Sequence, residues 1–322
     1  MKQRIITGIF LGIVFIPAVI FGGVYYTILA LILSAIGTYE LMNMFYKKNP
    51  RLKHLRFIVP AFSVLLCAII FRSEFLFSEG IKYEITNGLL ATVMANINAD
   101  STYLANIVLC FFAYILFIII LMIVNIFIKG TEAHDLLACV LSLTYGGLLL
   151  SFAFSLEFVT PISFEGQNIW GGQVFAYVFL VICLTDIFAY FLGCKFGKHK
   201  LCPTISPKKS VEGAISGLVL GSLFGVLFAY LFDILPITKE SSTIEVISYL
   251  VIALFASIII SLLGQIGDLV ASKLKRTYEI KDYGNVFPGH GGVMDRFDSL
   301  IFAGAFVYIC IILFRLITLG VI

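Results

Sequence analysis

The stretch KDYGNVFPGHGGVMDRFDS, residues 281 to 299, gathers Lys281, Asp282, His290, Asp295, Arg296 and Asp298 around Gly289, Gly291 and Gly292. Glycines allow backbone N–H groups to close on phosphate oxygens, and carboxylates three residues apart can share one helical face. Oxygen-only ligands suit a hard cation such as Mg²⁺, which binds through one or two carboxylates together with substrate phosphates. A glycine pair alone would favour a solvated loop with an aspartate helix cap. Aspartates interleaved with Lys, Arg, His and Gly favour a metal and phosphate site instead, with Asp295 and Asp298 as ligands.

Upstream, SLLGQIGDLVASKLKR (261 to 276) read as a helix places Asp268, Ser272 and Lys275 at i, i+4 and i+7, on one face. Charge near a membrane boundary is costly and usually faces a protein interior or a wet cavity. Lys275 and Arg276 could equally meet lipid headgroups, a reading that does not extend to Asp268. A second basic loop, GCKFGKHKLCPTISPKKSVEG (193 to 213), offers Ser206, Lys208, Lys209 and Ser210 to a polyphosphate or an anionic headgroup. An ordinary lysine-rich loop would look the same. Its SVEG end is placed to begin and cap a helix. His199 beside Cys194 and Cys202 fits no standard zinc spacing. Asp186, inside an apolar run, reads equally as a site carboxylate or as a structural partner for a neighbouring helix.

The elements that must position these groups are membrane helices. A chain of 322 residues that is 60% hydrophobic and 13% charged cannot coat a water-soluble globule. The expected fold is an all-α integral membrane protein with nine spans, over 5–22, 24–46, 55–71, 103–128, 136–156, 173–195, 213–233, 244–270 and 299–319. Gly22 and Gly23 permit a tight reversal between the first two, which favours a retained first helix over a cleaved signal. The seven cysteines lie mostly in apolar stretches without a CxxC pair and read as small hydrophobes.

Of the 22 Lys and Arg, all but Arg72, Lys82, Lys239 and Arg315 fall in alternate connections, which predicts a cytoplasmic N-terminus, an outside C-terminus and a cytosolic site. The outer segment 72–102 is acidic, and GLLATVMANI within it could form a short interfacial helix. There is no internal repeat and no separate soluble domain. The chain divides into an N-terminal transmembrane region, 1–135, and a C-terminal catalytic region, 136–322. The net charge of +3 identifies no partner, and nothing suggests a nucleic acid.

The segment SKLKRTYEIKDYGNVFPGHGGVMDRFD, residues 272 to 298, resembles the signature of the phosphatidate cytidylyltransferases, the CDP-diacylglycerol synthases. DIFAYFLGCKFGK (186 to 198) and ISPKKSVEG (205 to 213) are similar to that family too, so the likeness covers about the last half of the chain. Ser216 stands where a glycine is expected and Ser210 where threonine is common. The resemblance implies condensation of CTP with phosphatidic acid to give CDP-diacylglycerol and pyrophosphate, with Mg²⁺, one ion or two. It implies metal ligation by Asp268, Asp295 and Asp298, and anionic oxygens held by Lys275, Arg276, Lys281 and Arg296. Ser206, Lys208, Lys209, Ser272, His290, Gly291 and Gly292 would contact substrate. It further implies a homodimer among membrane lipids, in the inner membrane of the cell. A transporter would place its polar residues nearer the bilayer midplane. A CTP-dependent lipid kinase would transfer the γ-phosphoryl group and release CDP.

Overall fold

The computed structural model describes residues 2–78, 99–159, 162–164, 167–238 and 241–318. Where water is absent every backbone N–H and C=O must be satisfied within its own segment, so the apolar runs become helices. In chain order these are α1 (Lys2–Phe21), α2 (Gly23–Lys48), α3 (Leu55–Ser78), α4 (Ala99–Phe127), α5 (Ala133–Phe158), α6 (Gly171–Phe196), α7 (Val211–Leu231), α8 (Thr243–Thr277) and α9 (Met294–Thr318). Two short antiparallel hairpins interrupt them: β1 (Ile162–Phe164) with β2 (Gln167–Ile169), and β3 (Lys200–Cys202) with β4 (Ser206–Ser210). The architecture is that of an all-α membrane protein.

Seven described helices, α2 and α4 to α9, contain stretches long and apolar enough to cross a membrane. The apolar parts of α1 and α3, Gly12–Phe21 and Leu55–Phe71, are shorter. At 1.5 Å per residue the latter covers about 25 Å of a hydrocarbon core about 30 Å thick, and α3 continues through the charged Arg72 and Glu74 to Ser78. The connection between α3 and α4 is helical at both ends, to Ser78 and from Ala99, and the expected interfacial helix GLLATVMANI lies outside the described residues. Cys67, Cys110 and Cys139 are buried, Cys183 is half-buried and Cys310 is exposed.

The helices that carry the polar groups run past the expected spans. α8 extends to Thr277, and at about 52 Å it exceeds the hydrocarbon thickness. α9 begins at Met294, ahead of the expected span 299–319, so Asp295 and Asp298 lie within its first turns, on a helix as their spacing allows. α6 and α7 approach through Gly213, Gly217, Gly221 and Gly225, spaced four apart and buried. A Cβ on Gly221 would sit 2.3 Å from Thr185 Oγ1, and one on Gly217 would sit 2.6 Å from the Thr185 carbonyl. That closeness holds Thr185, the residue before Asp186, against α7. Ser216 is accommodated off the stripe, its hydroxyl donating to the Gly213 carbonyl at 2.9 Å. α5 contains a π-helical turn at Leu143–Leu149, where Gly146 and Gly147 pack on Thr38 and Ser63.

Candidate active site

One end of the bundle collects the C-terminal ends of α2, α6 and α8, the N-terminal ends of α7 and α9, the β3–β4 hairpin and the loop 278–293. The hairpin is anchored where α7 starts. Ser210 caps that helix by accepting from the Gly213 N–H at 3.2 Å, as the SVEG pattern predicts. The Glu212 carboxylate accepts from the backbone N–H groups of Lys198 and His199 and meets His199 Nδ1 at 2.6 Å. So anchored, β4 presents Lys208 and Lys209 to a cavity of about 660 Å³, whose walls include Asp186, Lys200, Ser210, Gln265 and Asp268.

Lys209 Nζ forms an ion pair with Asp268 Oδ2, and the Ser272 hydroxyl donates to Asp268 Oδ1 at 3.2 Å. Asp268 and Ser272 thus share a face as their spacing requires. Next to Asp268, Gly267 lets α8 close on α9, since a Cβ there would lie 2.6 Å from the Asp298 carbonyl. Asp186, Asp268 and Asp298 consequently lie near enough for their charges to repel, while Lys209 and Arg296 offset Asp186 and Lys275 offsets Asp298. Asp298 is buried, with Oδ1 accepting from the Ser299 N–H at 2.9 Å.

Asp295 has a different environment. Its Oδ1 accepts from Lys275 Nζ at 2.7 Å, and its Oδ2 from the N–H groups of Tyr283 and Gly292 at 2.8 and 3.0 Å. Both oxygens are engaged, with 3% of the side chain exposed, so a cation at Asp295 would have to displace Lys275. The Tyr283 hydroxyl donates to the Ala271 carbonyl at 3.0 Å, and burial followed by the charges of Asp295 and Asp298 holds its pKa above the ordinary phenol value. Left-handed backbone at Gly289 and Gly291 turns the loop, closed by a Phe287 N–H to Gly291 carbonyl bond of 2.9 Å.

The remaining predicted residues spread around this knot. Arg276 is exposed and ties the hairpin to the loop, donating from Nε to the Ile205 carbonyl at 3.3 Å and from Nη1 to the Ile280 carbonyl at 3.4 Å. Ser206 opens β4, and Lys281 and Arg296 are exposed. His290 is half-buried, its N–H donating to the Phe287 carbonyl at 2.8 Å. The cavity walls bring together Asp186, Lys208, Lys209 and Asp268, but not Asp295, Asp298, Lys275 or the loop glycines. Among the described residues no three Asp, Glu, His or Cys side chains form a ready-made metal cage.

One central group escaped the sequence reading. Glu40 of α2, 3% exposed, accepts from the N–H groups of Val293 and Met294 at 3.1 and 3.0 Å, and so caps α9 from another helix. The available signal was an ionisable residue inside the expected span 24–46, which is expensive unless it has a task.

Comparison with known proteins places this geometry in context. The model of the cytidylyltransferase family matches residues 2–314. A phosphatidate cytidylyltransferase of Bacillus subtilis is 32% identical over 98% of both chains. Relatives of the same name from Staphylococcus epidermidis and Staphylococcus aureus are 29% and 30% identical, each match covering 94% of this chain and 95% of the relative.

Proposed function

This chain belongs to the cytidylyltransferase family, and we infer that it condenses CTP with phosphatidic acid to give CDP-diacylglycerol and pyrophosphate, a step of phospholipid biosynthesis. The observation that carries the reading in atomic terms is the cavity in which Lys208 and Lys209 face Asp186 and Asp268, with Asp298 buried behind them. A phosphate oxygen of the lipid attacks the α-phosphorus of CTP, and the bond from that phosphorus to the pyrophosphate oxygen breaks. A phosphate monoanion or dianion is already a competent nucleophile, so the protein's work is positioning and charge neutralisation.

In this reading Lys208 and Lys209 receive phosphate oxygens, and Lys209 exchanges its partner Asp268 for substrate as the site fills. Ser206, Ser272, His290, Gly291, Gly292 and the exposed Lys281 and Arg296 border the same region as substrate contacts. Arg276 holds the hairpin against the loop, and Lys275 with Asp295 keeps the loop folded. The donor set fits Mg²⁺, because Asp268 and Asp298 offer hard oxygens and the repulsion among Asp186, Asp268 and Asp298 is the charge that a divalent cation offsets. When bound, one or two such ions supply Lewis-acid stabilisation of the phosphoryl oxygens. Asp268 and Asp298 would hold the metal, with Asp295 joining only on release of Lys275.

The same proposal sets nine helices across the inner membrane, the N-terminus and the site facing the cytosol where CTP is found, the C-terminus outside, and a homodimer as the working unit. The basic residues clustered at the site end support that orientation. The test supplies CTP labelled at the α-phosphorus with phosphatidate and purified protein. Label is expected in a CMP-bearing lipid with pyrophosphate released; α-label that remains in CDP, with lipid labelled only in a parallel assay with γ-labelled CTP, would instead identify a lipid kinase.

A further inference from the structure

Tyr145 lies in the π-helical turn of α5 and is not among the walls of the cavity that Lys208 and Lys209 face. π-Helical turns inside α-helices are rare and recur at functional sites. The residue is 4% exposed, and its hydroxyl is buried with no hydrogen-bond partner among the described residues. Its ring meets Phe302 edge-on at 6.0 Å, one turn beyond Asp298 on α9. The charges that reach the phenol are those of Asp298, Asp268 and Asp295, with Tyr283 beside them.

Other buried tyrosines are placed differently. Tyr26 donates to the Phe154 carbonyl at 3.0 Å, Tyr177 pairs with Ser257 at 2.7 Å, and Tyr283 donates to the Ala271 carbonyl. A buried hydroxyl without a partner destabilises a fold, and phenylalanine would fill the same volume without that cost. The neighbouring aspartates already have donors: Lys209 and Ser272 serve Asp268, Lys275 and two N–H groups serve Asp295, and Ser299 serves Asp298. A neutral donor buried close to three aspartates is suited to an anionic oxygen that arrives with substrate.

We propose that the Tyr145 hydroxyl donates a hydrogen bond to a substrate phosphate oxygen brought among Asp268, Asp295 and Asp298, making Tyr145 a catalytic residue approached from the N-terminal half of the chain. The proposal rests on the phosphoryl-transfer reading above. The shared chemistry is a phosphate oxygen, with either the lipid or the nucleotide as its source.

Tyr145→Phe removes only the hydroxyl. Because that atom has no hydrogen-bond partner among the described residues, the variant is expected to melt at or slightly above the wild-type temperature, whereas a structural hydroxyl would lower it. A lost hydrogen bond to a charged oxygen corresponds to about 10- to 100-fold in kcat/KM. A rise in KM for phosphatidate alone assigns the lipid phosphate, a rise for CTP alone assigns the nucleotide, and a fall in kcat with both KM values unchanged assigns an oxygen that gains charge during transfer. Equilibrium binding of CTP with Mg²⁺, and of phosphatidate in nanodiscs, is measured in parallel on both proteins. If wild-type protein transfers no α-label, the functional reading fails, and weaker binding of either ligand to Tyr145→Phe still supports the contact. Equal binding and activity within twofold of wild type overturn it, as does a change confined to the Mg²⁺ requirement.

Discussion

The carboxylate of Glu40 accepts the backbone N–H of Met294 at 3.0 Å, a contact between residues 254 apart in sequence. With the companion bond to Val293 at 3.1 Å it places a side chain of α2 where a helix normally draws its cap from the residue before it. A carboxylate at the N-terminus of α9 is also placed at the positive end of the helix dipole. The N-terminal region therefore does more than span the membrane: it holds the helix that carries Asp295 and Asp298.

Glu40→Ala is expected to leave two buried N–H groups unpaired, at about 1–3 kcal/mol each. The variant should melt several degrees lower in detergent and lose most of its turnover. Glu40→Gln keeps one acceptor oxygen and should fall between. Thermal unfolding followed by intrinsic fluorescence, paired with initial rates, checks this; a wild-type melting temperature for Glu40→Ala would remove the cap from the account.

Gly292 must lack a side chain because of the same carboxylate. A Cβ there would lie 2.3 Å from both Glu40 oxygens, and one on Gly284 would lie 2.1 Å from Oε1. Gly292→Ala should resemble Glu40→Ala in stability and activity. Since residues in contact are not additive, the double variant should be less damaged than the two single losses summed. Additive losses in a double-mutant cycle would show that Gly292 acts through something other than Glu40.

Much of this site can be read from the chain. The i, i+4 spacing of Asp268 and Ser272 and the Ser210 cap follow from local periodicity, and both appear as hydrogen bonds. The i+7 partner Lys275 turns instead to Asp295, because a buried ammonium finds the nearest desolvated carboxylate and no periodicity reports that choice. Likewise Asp295 and Asp298 look equivalent in DRFD, yet one is surrounded by loop donors and the other faces Asp268 and Asp186. Contacts made across more than two hundred residues, such as Glu40 with α9, leave no local pattern beyond a charge in an apolar run. The start of α9 at Met294, five residues ahead of the apolar run, is likewise illegible from hydropathy, since polar first turns continue a helix wherever caps satisfy them.

The proposed orientation makes a labelling prediction. Thr204 lies in the exposed turn between β3 and β4, and Thr238 is exposed beyond the other end of α7. In a background where the exposed Cys194 and Cys310 are replaced by alanine, a cysteine at Thr238 should react with an impermeant maleimide applied outside intact cells. A cysteine at Thr204 should react only after permeabilisation. The reverse pattern would invert the topology and remove the cytosolic access to CTP on which the site depends.

The two aspartates of DRFD should separate on substitution, because stability and activity read different surroundings. Asp298 accepts one described hydrogen bond, from its neighbour Ser299, and faces the charges of Asp268 and Asp186. Asp298→Asn relieves that repulsion while keeping an acceptor oxygen, so its melting temperature should stay near or above wild type. Turnover should nonetheless be abolished, since a ligand that concentrates a cation against developing phosphoryl charge is lost. Asp295→Asn has the opposite balance. It leaves Lys275, whose side chain is 11% exposed, without its carboxylate and weakens the acceptor of the Tyr283 and Gly292 N–H groups. Breaking a buried pair by removing one charge costs about 3–5 kcal/mol, so Asp295→Asn should unfold early and lose activity through the loop. Initial rates against Mg²⁺ and melting curves for both proteins decide the matter. Near-normal turnover with an unchanged Mg²⁺ curve for Asp298→Asn would reduce that aspartate to a helix-end residue, and a wild-type melting temperature for an inactive Asp295→Asn would move Asp295 from the scaffold into the metal site.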